Sequence, residues 1–177
     1  MEGEFQIRTT YDQRALAVMA RTLRKTLRRR RSRIVHVFGW SVVALALLLM
    51  LAECLAGTLS LDGPTVVTAV SAAVVLLVML KEDAINGWAA GRHMLPDMRE
   101  AVTVFEAETY TSTTKAAQTM WKYTQILGVY ETEGYFVFFL SRRHGQIYDK
   151  AGFQKGTPER FRAFIAEKTG KPVEYVI

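Results

Sequence analysis

Two stretches without a single charged side chain constrain this chain more than anything else in it. Ile34 to Ala52 carries no Asp, Glu, Lys or Arg over 19 positions, and Pro64 to Leu80 carries none over 17. A helix crossing the hydrocarbon core of a bilayer needs about 20 predominantly apolar residues, so the pattern predicts two spans, about 34–55 and 64–80. The first of them has room to run past Glu53 to Leu61. Half of the 177 residues are hydrophobic, and their concentration in these blocks argues against a purely soluble globule. Asp62-Gly63-Pro64 supplies the turn of a tight hairpin, since Gly tolerates unusual backbone angles and Pro suits a first helical turn. Gly39, Ala44 and Ala46 in the first span and Ala69, Ser71, Ala72 and Ala73 in the second are small enough for close helix contact. The lone cysteine, Cys54, excludes an internal disulfide framework and a Cys-rich zinc site, and reads as an unpaired thiol at the membrane boundary.

The net charge of +6 suggests nucleic acid until its origin is located. Eight basic residues, Arg21, Arg24, Lys25, Arg28, Arg29, Arg30, Arg31 and Arg33, lie just before the first span. The other 15 basic residues face 17 acidic ones, so no basic domain remains and nucleic acid is not an expected partner. Basic residues flanking a span mark its cytoplasmic end and attract anionic lipid at about 1 kcal/mol each near the surface. Only Glu53 and Asp62 are charged between the spans, whereas Lys81 and Arg92 follow the second. The expected topology is multi-pass, with both termini cytoplasmic. A cleaved signal peptide is not expected, because 33 residues precede the apolar core. Trp40 and Trp88 fall where indole rings favour the inner interface.

Four segments follow from the pattern: residues 1–33, a strand and a basic amphipathic helix; 34–80, the hairpin; 81–96, a connecting helix; and 97–177, a cytoplasmic domain. Glu4 to Thr10 alternates with a period of two and predicts a short edge strand. Asp12 caps a helix from about Gln13 that, with no Pro or turn cluster to stop it, is expected to run unbroken into the first span. Gly87 and Gly91 softly interrupt the connecting helix and Pro96 ends it. Ala101 to Thr111 reads as one alternating strand ended by a turn at Ser112-Thr113-Thr114, with a further strand at Ala116 to Met120. Ile126 to Glu131 and Tyr135 to Leu140 form a hairpin across Thr132-Glu133-Gly134, and Arg142 to Gly145 turns the chain into Gln146 to Tyr148. Thr157, Pro158 and Glu159 begin a last helix and Gly170 and Pro172 stop it, with Phe161, Phe164, Ile165 and Lys168 on one face.

The stretch Tyr123-Thr124-Gln125-Ile126-Leu127-Gly128-Val129-Tyr130-Glu131-Thr132-Glu133-Gly134-Tyr135-Phe136, followed by Lys150-Ala151-Gly152-Phe153 and a helix around Phe161, resembles the YcxB-like membrane proteins of bacteria. Tyr123, Ile126, Val129, Glu131, Tyr135, Phe136, Lys150 and Phe153 carry the pattern. Tyr123 stands where Trp is usual, with Trp121 two residues earlier, and Tyr148-Asp149-Lys150 replaces the usual Ile-Pro-Lys. The resemblance implies two closely spaced spans followed by a small cytoplasmic domain. It assigns no reaction and no catalytic residue. Strands closed by a terminal helix also look like a small pleckstrin-homology-like barrel, with the strand at Phe5 as an extra member beyond the hairpin. The expected fold is thus an α+β membrane protein, a transmembrane hairpin plus an antiparallel-sheet domain with a C-terminal helix.

Chemistry is hard to find. His36, His93 and His144 are not spaced as metal ligands, and His144 reads as a solvated loop residue. Glu131 and Glu133 flank a hairpin turn, where charge is ordinarily solvated, and Glu53 falls at the outer interface. No phosphate loop, nucleophile elbow or zinc helix occurs, so neither enzymatic activity nor a cofactor is expected. The leading expectation is a non-enzymatic membrane-anchored module for protein interaction or membrane-surface sensing. The alternative is an immunity-type or structural factor acting through its spans, and the third an enzyme at the lipid surface. Expected partners are the bilayer, another membrane or cytoplasmic protein, or further copies of the chain.

Overall fold

The computed structural model describes residues 3–58, 60 and 62–177. Strand β1 (Phe5–Thr10) leads into α1 (Gln13–Lys25), followed by the long helices α2 (Arg29–Leu55) and α3 (Gly63–Arg92). Asp12 caps α1, its Oδ1 accepting from Ala15 N at 2.7 Å, and Asp62 caps α3 by accepting from Thr65 N at 3.0 Å. Both long helices are apolar and long enough to cross a membrane: 27 and 30 residues at 1.5 Å each are about 40 and 45 Å. Their apolar side chains are largely uncovered, Phe38, Leu48, Val67 and Leu77 among them. The expected extension of the first span to Leu61 lies partly outside the described residues; α2 itself ends at Leu55.

Strands β2 (Glu100–Phe105), β3 (Thr109–Thr114) and β4 (Gln118–Lys122) form one meander. Strands β5 (Gly128–Glu131), β6 (Tyr135–Phe139) and β7 (Gly145–Asp149) form another, and β8 (Phe153–Lys155), α4 (Pro158–Thr169) and β9 (Val173–Tyr175) complete the chain. The first sheet has the order β4-β3-β2-β1-β8 and the second β7-β6-β5-β9. All pairings are antiparallel except β5 with β9. Thr157 Oγ1 caps α4 by accepting from Arg160 N, and Gly170 ends it at φ +62°, a left-handed conformation that favours Gly. Phe161 then fills the space between the sheets, 5.3 Å from Phe5, 4.8 Å from Phe105 and 5.2 Å from Phe136, centroid to centroid.

The second sheet is covered on both faces, which is why β6, Tyr-Phe-Val-Phe-Phe, reads as a continuous apolar run rather than as alternation. Phe136 and Phe138 face the aromatic core, while Val137, Phe139 and Ile147 face α1 through Ala15, Val18, Met19 and Leu23. Two buried phenols, Tyr110 and Tyr148, donate to the same Gln146 Oε1 at 2.7 and 2.8 Å, and burial raises both above the ordinary tyrosine range.

Four expectations need correction. The N-terminal strand is central, not an edge: β1 pairs with β2 over Phe5–Thr10 and with β8 on its other side. The first helix does not run unbroken into the span. It stops at Lys25, where the Thr22 and Thr26 hydroxyls donate back to the carbonyls of Val18 and Thr22, and Arg28 N reaches Leu23 O, five residues back. Such back-bonding competes with the regular ladder and bends a helix. Ala101 to Thr111 is two strands of a hairpin turning at 106–108, and Ser112 to Thr114 lie within β3. Finally, Gly87 and Gly91 do not interrupt α3, which is helical through Arg92.

Candidate functional site

The hairpin seam is built by heptad spacing. Ser32, His36, Gly39, Val43, Ala46 and Met50 turn inward on α2, and Thr65, Ala69, Ala72, Leu76 and Met79 do so on α3. At Gly39 the Met79 thioether packs into the space that a Cβ would take. Ala44, Ser71 and Ala73 face outward.

Beyond the seam, α1 wedges between α3 and the second sheet. Gly87 makes this possible: a Cβ there would stand 2.6 Å from Ala17 N, a backbone atom that cannot yield. The role of this glycine is therefore close approach of two helices. One turn away Arg24 grips Asp83, its Nε donating to Oδ1 at 2.7 Å and its Nη2 to Oδ2 at 2.6 Å. Arg24 also stands 3.7 Å from the Glu82 carboxylate, which lies 3.5 Å from His36 Nε2. The hydrogen bonds that Arg24 donates to the Asp83 carboxylate hold its guanidinium above the usual range.

The eight basic residues divide by role. Arg24 is committed to Asp83, Lys25 donates to the carbonyl of Ile177, and Arg28 Nη2 donates to Arg142 O at 2.8 Å. Arg21, Arg29, Arg30, Arg31 and Arg33 are exposed. Arg28 and Arg31 line a cleft of about 490 Å³ whose other walls are α1, α3 and the β6–β7 turn carrying Arg143. The turn is folded on Ser141 Oγ, which accepts from Arg143 N at 3.1 Å and His144 N at 2.9 Å. The exposed His144 ring rests on Trp121, 5.2 Å between centroids, so it is partly supported rather than fully solvated.

Of the eight pattern residues, seven gather elsewhere, on the side of the closing helix, while Tyr135 packs on the α1 side of the second sheet. Tyr123, Ile126, Val129 and Phe136 are buried, and Tyr135, Lys150 and Phe153 are half-buried. Glu131, expected to be a solvated turn carboxylate, is buried at 3% exposure. Arg162 from α4 holds it with two hydrogen bonds of 2.6 Å, and Lys150 Nζ lies 2.6 Å from Oε1. Arg162, then Lys150, holds this carboxyl below the ordinary carboxylate range. Lys150 also donates to Thr132 O at 2.7 Å and lies over the Phe136 ring. Arg162 carries no signal of its own in the sequence, because an exposed helical arginine is unremarkable until its partner is seen.

Residues 105–165 match the family model described as YcxB-like protein. This part of the chain is similar to that family's domain. No curated protein and no solved structure matched the chain. Two helices able to span a membrane precede this region, and the Glu131–Lys150–Arg162 cluster lies within its matched residues, joining strand, turn and closing helix. Tyr123, in the position where the resemblance places Trp, donates to the carbonyls of Glu106 and Thr109 and so ties the β2–β3 turn. The pattern is thus a packing and ion-pair framework.

Proposed function

We propose that the chain is a non-enzymatic two-span protein of the bacterial inner membrane whose pleckstrin-homology-like cytoplasmic domain senses the charge of the membrane surface. The observation carrying this reading is the position of α1, packed at once on α3 and on the second sheet, with Arg24 bound to Asp83. A domain so attached has little freedom to swing away from the base of the hairpin. The basic run Arg21–Arg33 lies at that same base, while Glu53 and Asp62 are the charged residues between the apolar stretches, a distribution that supports cytoplasmic termini. Two sheets closed at one end by α4 support the pleckstrin-homology-like reading.

Hydrogen exchange of the full chain in vesicles tests this function. Anionic vesicles are expected to slow exchange in the 141–145 turn and at the α1–α2 break relative to zwitterionic ones. Identical exchange in both would contradict surface sensing.

One observation favours a protein partner as a second reading. β4 is one of the two outer strands of its sheet and Met120 on it is 65% exposed, so its edge could take an added strand. Cross-linking in native membranes with Lys122 as a reporter is expected to recover a partner chain at β4 under this reading, and links confined to this chain would refute it.

A further inference from the structure

The cleft between α1, the start of α2, α3 and the β6–β7 turn combines three features. Its basic lining comes from separate parts of the chain: Arg28 at the helix break, Arg31 in the first turn of α2, and Arg143 in the turn between two strands. Arg24 and Glu82 also stand in the wall: Arg24 is bound to Asp83, and the Glu82 carboxylate lies 3.7 Å from Arg24 and 3.5 Å from His36. Arg28 uses one nitrogen on the Arg142 carbonyl, which leaves most of its donor fork unused and anchors the turn beside it. Arg28, Arg31 and Arg143 are exposed to solvent in this concave space, and guanidinium forks suit phosphate oxygens in particular.

The third feature selects the source of the phosphate. Val35 lines the same cleft, is 53% exposed and belongs to the uncharged face of α2 that begins at Ile34. The basic pocket is therefore continuous with the apolar surface of the hairpin. A free phosphate would use only the first part, whereas a phospholipid would use both, its headgroup against the arginines and its acyl chains along α2.

We propose that this cleft is a binding site for one anionic phospholipid, its phosphate held by Arg28, Arg31 and Arg143. The proposal rests on the reading that the basic end of the hairpin lies at the membrane surface, and adds a discrete site to the diffuse attraction of the whole run. A lipid there would bridge α2 to the β6–β7 turn, a link between the membrane and the sheet domain.

Native mass spectrometry of the full chain in detergent, titrated with phosphatidylglycerol or phosphatidylcholine, tests it. The expected result is one saturable phosphatidylglycerol adduct, weakened about tenfold in Arg143→Ala and in Arg31→Ala but retained in Arg33→Ala, which removes the same charge outside the cleft. Arg143 stands in an exposed turn, and unchanged thermal unfolding of Arg143→Ala would confirm that folding is not at issue. Equal weakening in Arg33→Ala and Arg143→Ala, or equal binding of phosphatidylcholine, would overturn the proposal. Displacement by millimolar inorganic phosphate would also overturn it, by assigning the cleft to a soluble phosphoester. Absence of the adduct while vesicle charge still alters hydrogen exchange would remove the cleft and leave surface sensing standing. An adduct without any exchange response would support the cleft and count against the sensing reading.

Discussion

Arg24 on α1 and Asp83 on α3 meet through two parallel hydrogen bonds of 2.7 and 2.6 Å, 59 residues apart in sequence. Each side chain is about a quarter exposed, so the pair is neither a solvated surface bridge nor a fully desolvated one. It fastens the helix that underlies the second sheet to the helix that leaves the apolar hairpin. Asp83→Ala is expected to lower stability by about 1.5 kcal/mol, the scale of hydrogen bonds to charged groups. A double-mutant cycle with Arg24→Ala, read by thermal unfolding in detergent, checks it; additive losses would mean that the two residues act independently.

Gly87 offers a sharper test of the same contact. Gly87→Leu forces α1 from α3, because the obstruction is the backbone of Ala17. The expected loss is about 2 kcal/mol, with faster hydrogen exchange in α1 and in the β6–β7 turn. Gly63, where an added Cβ meets nothing within 4 Å, supplies the control in Gly63→Ala.

Much of this architecture is legible in the sequence, for identifiable reasons. The apolar stretches, the caps at Asp12 and Thr157 and the stop at Gly170 are local signals, and each appears where its chemistry puts it. The continuous aromatic run of β6 announces a strand buried on both sides. What was not legible is non-local. Nothing near Phe5 says that its strand will sit between β2 and β8, since those partners lie beyond the hairpin. The burial of Glu131 depends on Arg162, 31 positions away. The cleft depends on Arg143, which joins the basic run only in three dimensions.

The Glu131 cluster predicts an acid sensitivity with a definite sign. Arg162 and Lys150 hold its folded-state pKa below the unfolded value. Its contribution is therefore present above the ordinary carboxylate range and is lost as the pH falls through the depressed folded value. Glu131→Gln is expected to reduce neutral-pH stability by about 1.5 kcal/mol, the scale of hydrogen bonds to charged groups when one partner, Arg162, is half exposed, and to flatten the fall in stability with acid. Unfolding midpoints measured across the acid range check both, and an unchanged acid profile would contradict the assignment.

Phe161 joins both sheets to the closing helix, packing on Phe5, Phe105, Phe136 and Phe153 with no exposed surface. Phe161→Ala is expected to cost about 4 kcal/mol, with loss of near-ultraviolet circular dichroism as the aromatic cluster loosens. Phe164, 7% exposed at the edge of the cluster, is expected to cost less.

The most direct test asks whether the strands on either side of the hairpin lie together at the inner face of the membrane. In a Cys54→Ser background, Thr10→Cys, Thr58→Cys and Glu108→Cys each place one thiol before, between and after the long helices. An impermeant maleimide applied to intact spheroplasts is expected to label Thr58→Cys alone, with Thr10→Cys and Glu108→Cys reacting only after lysis. Labelling of either of those two in intact spheroplasts would contradict a single cytoplasmic domain interrupted by a membrane hairpin.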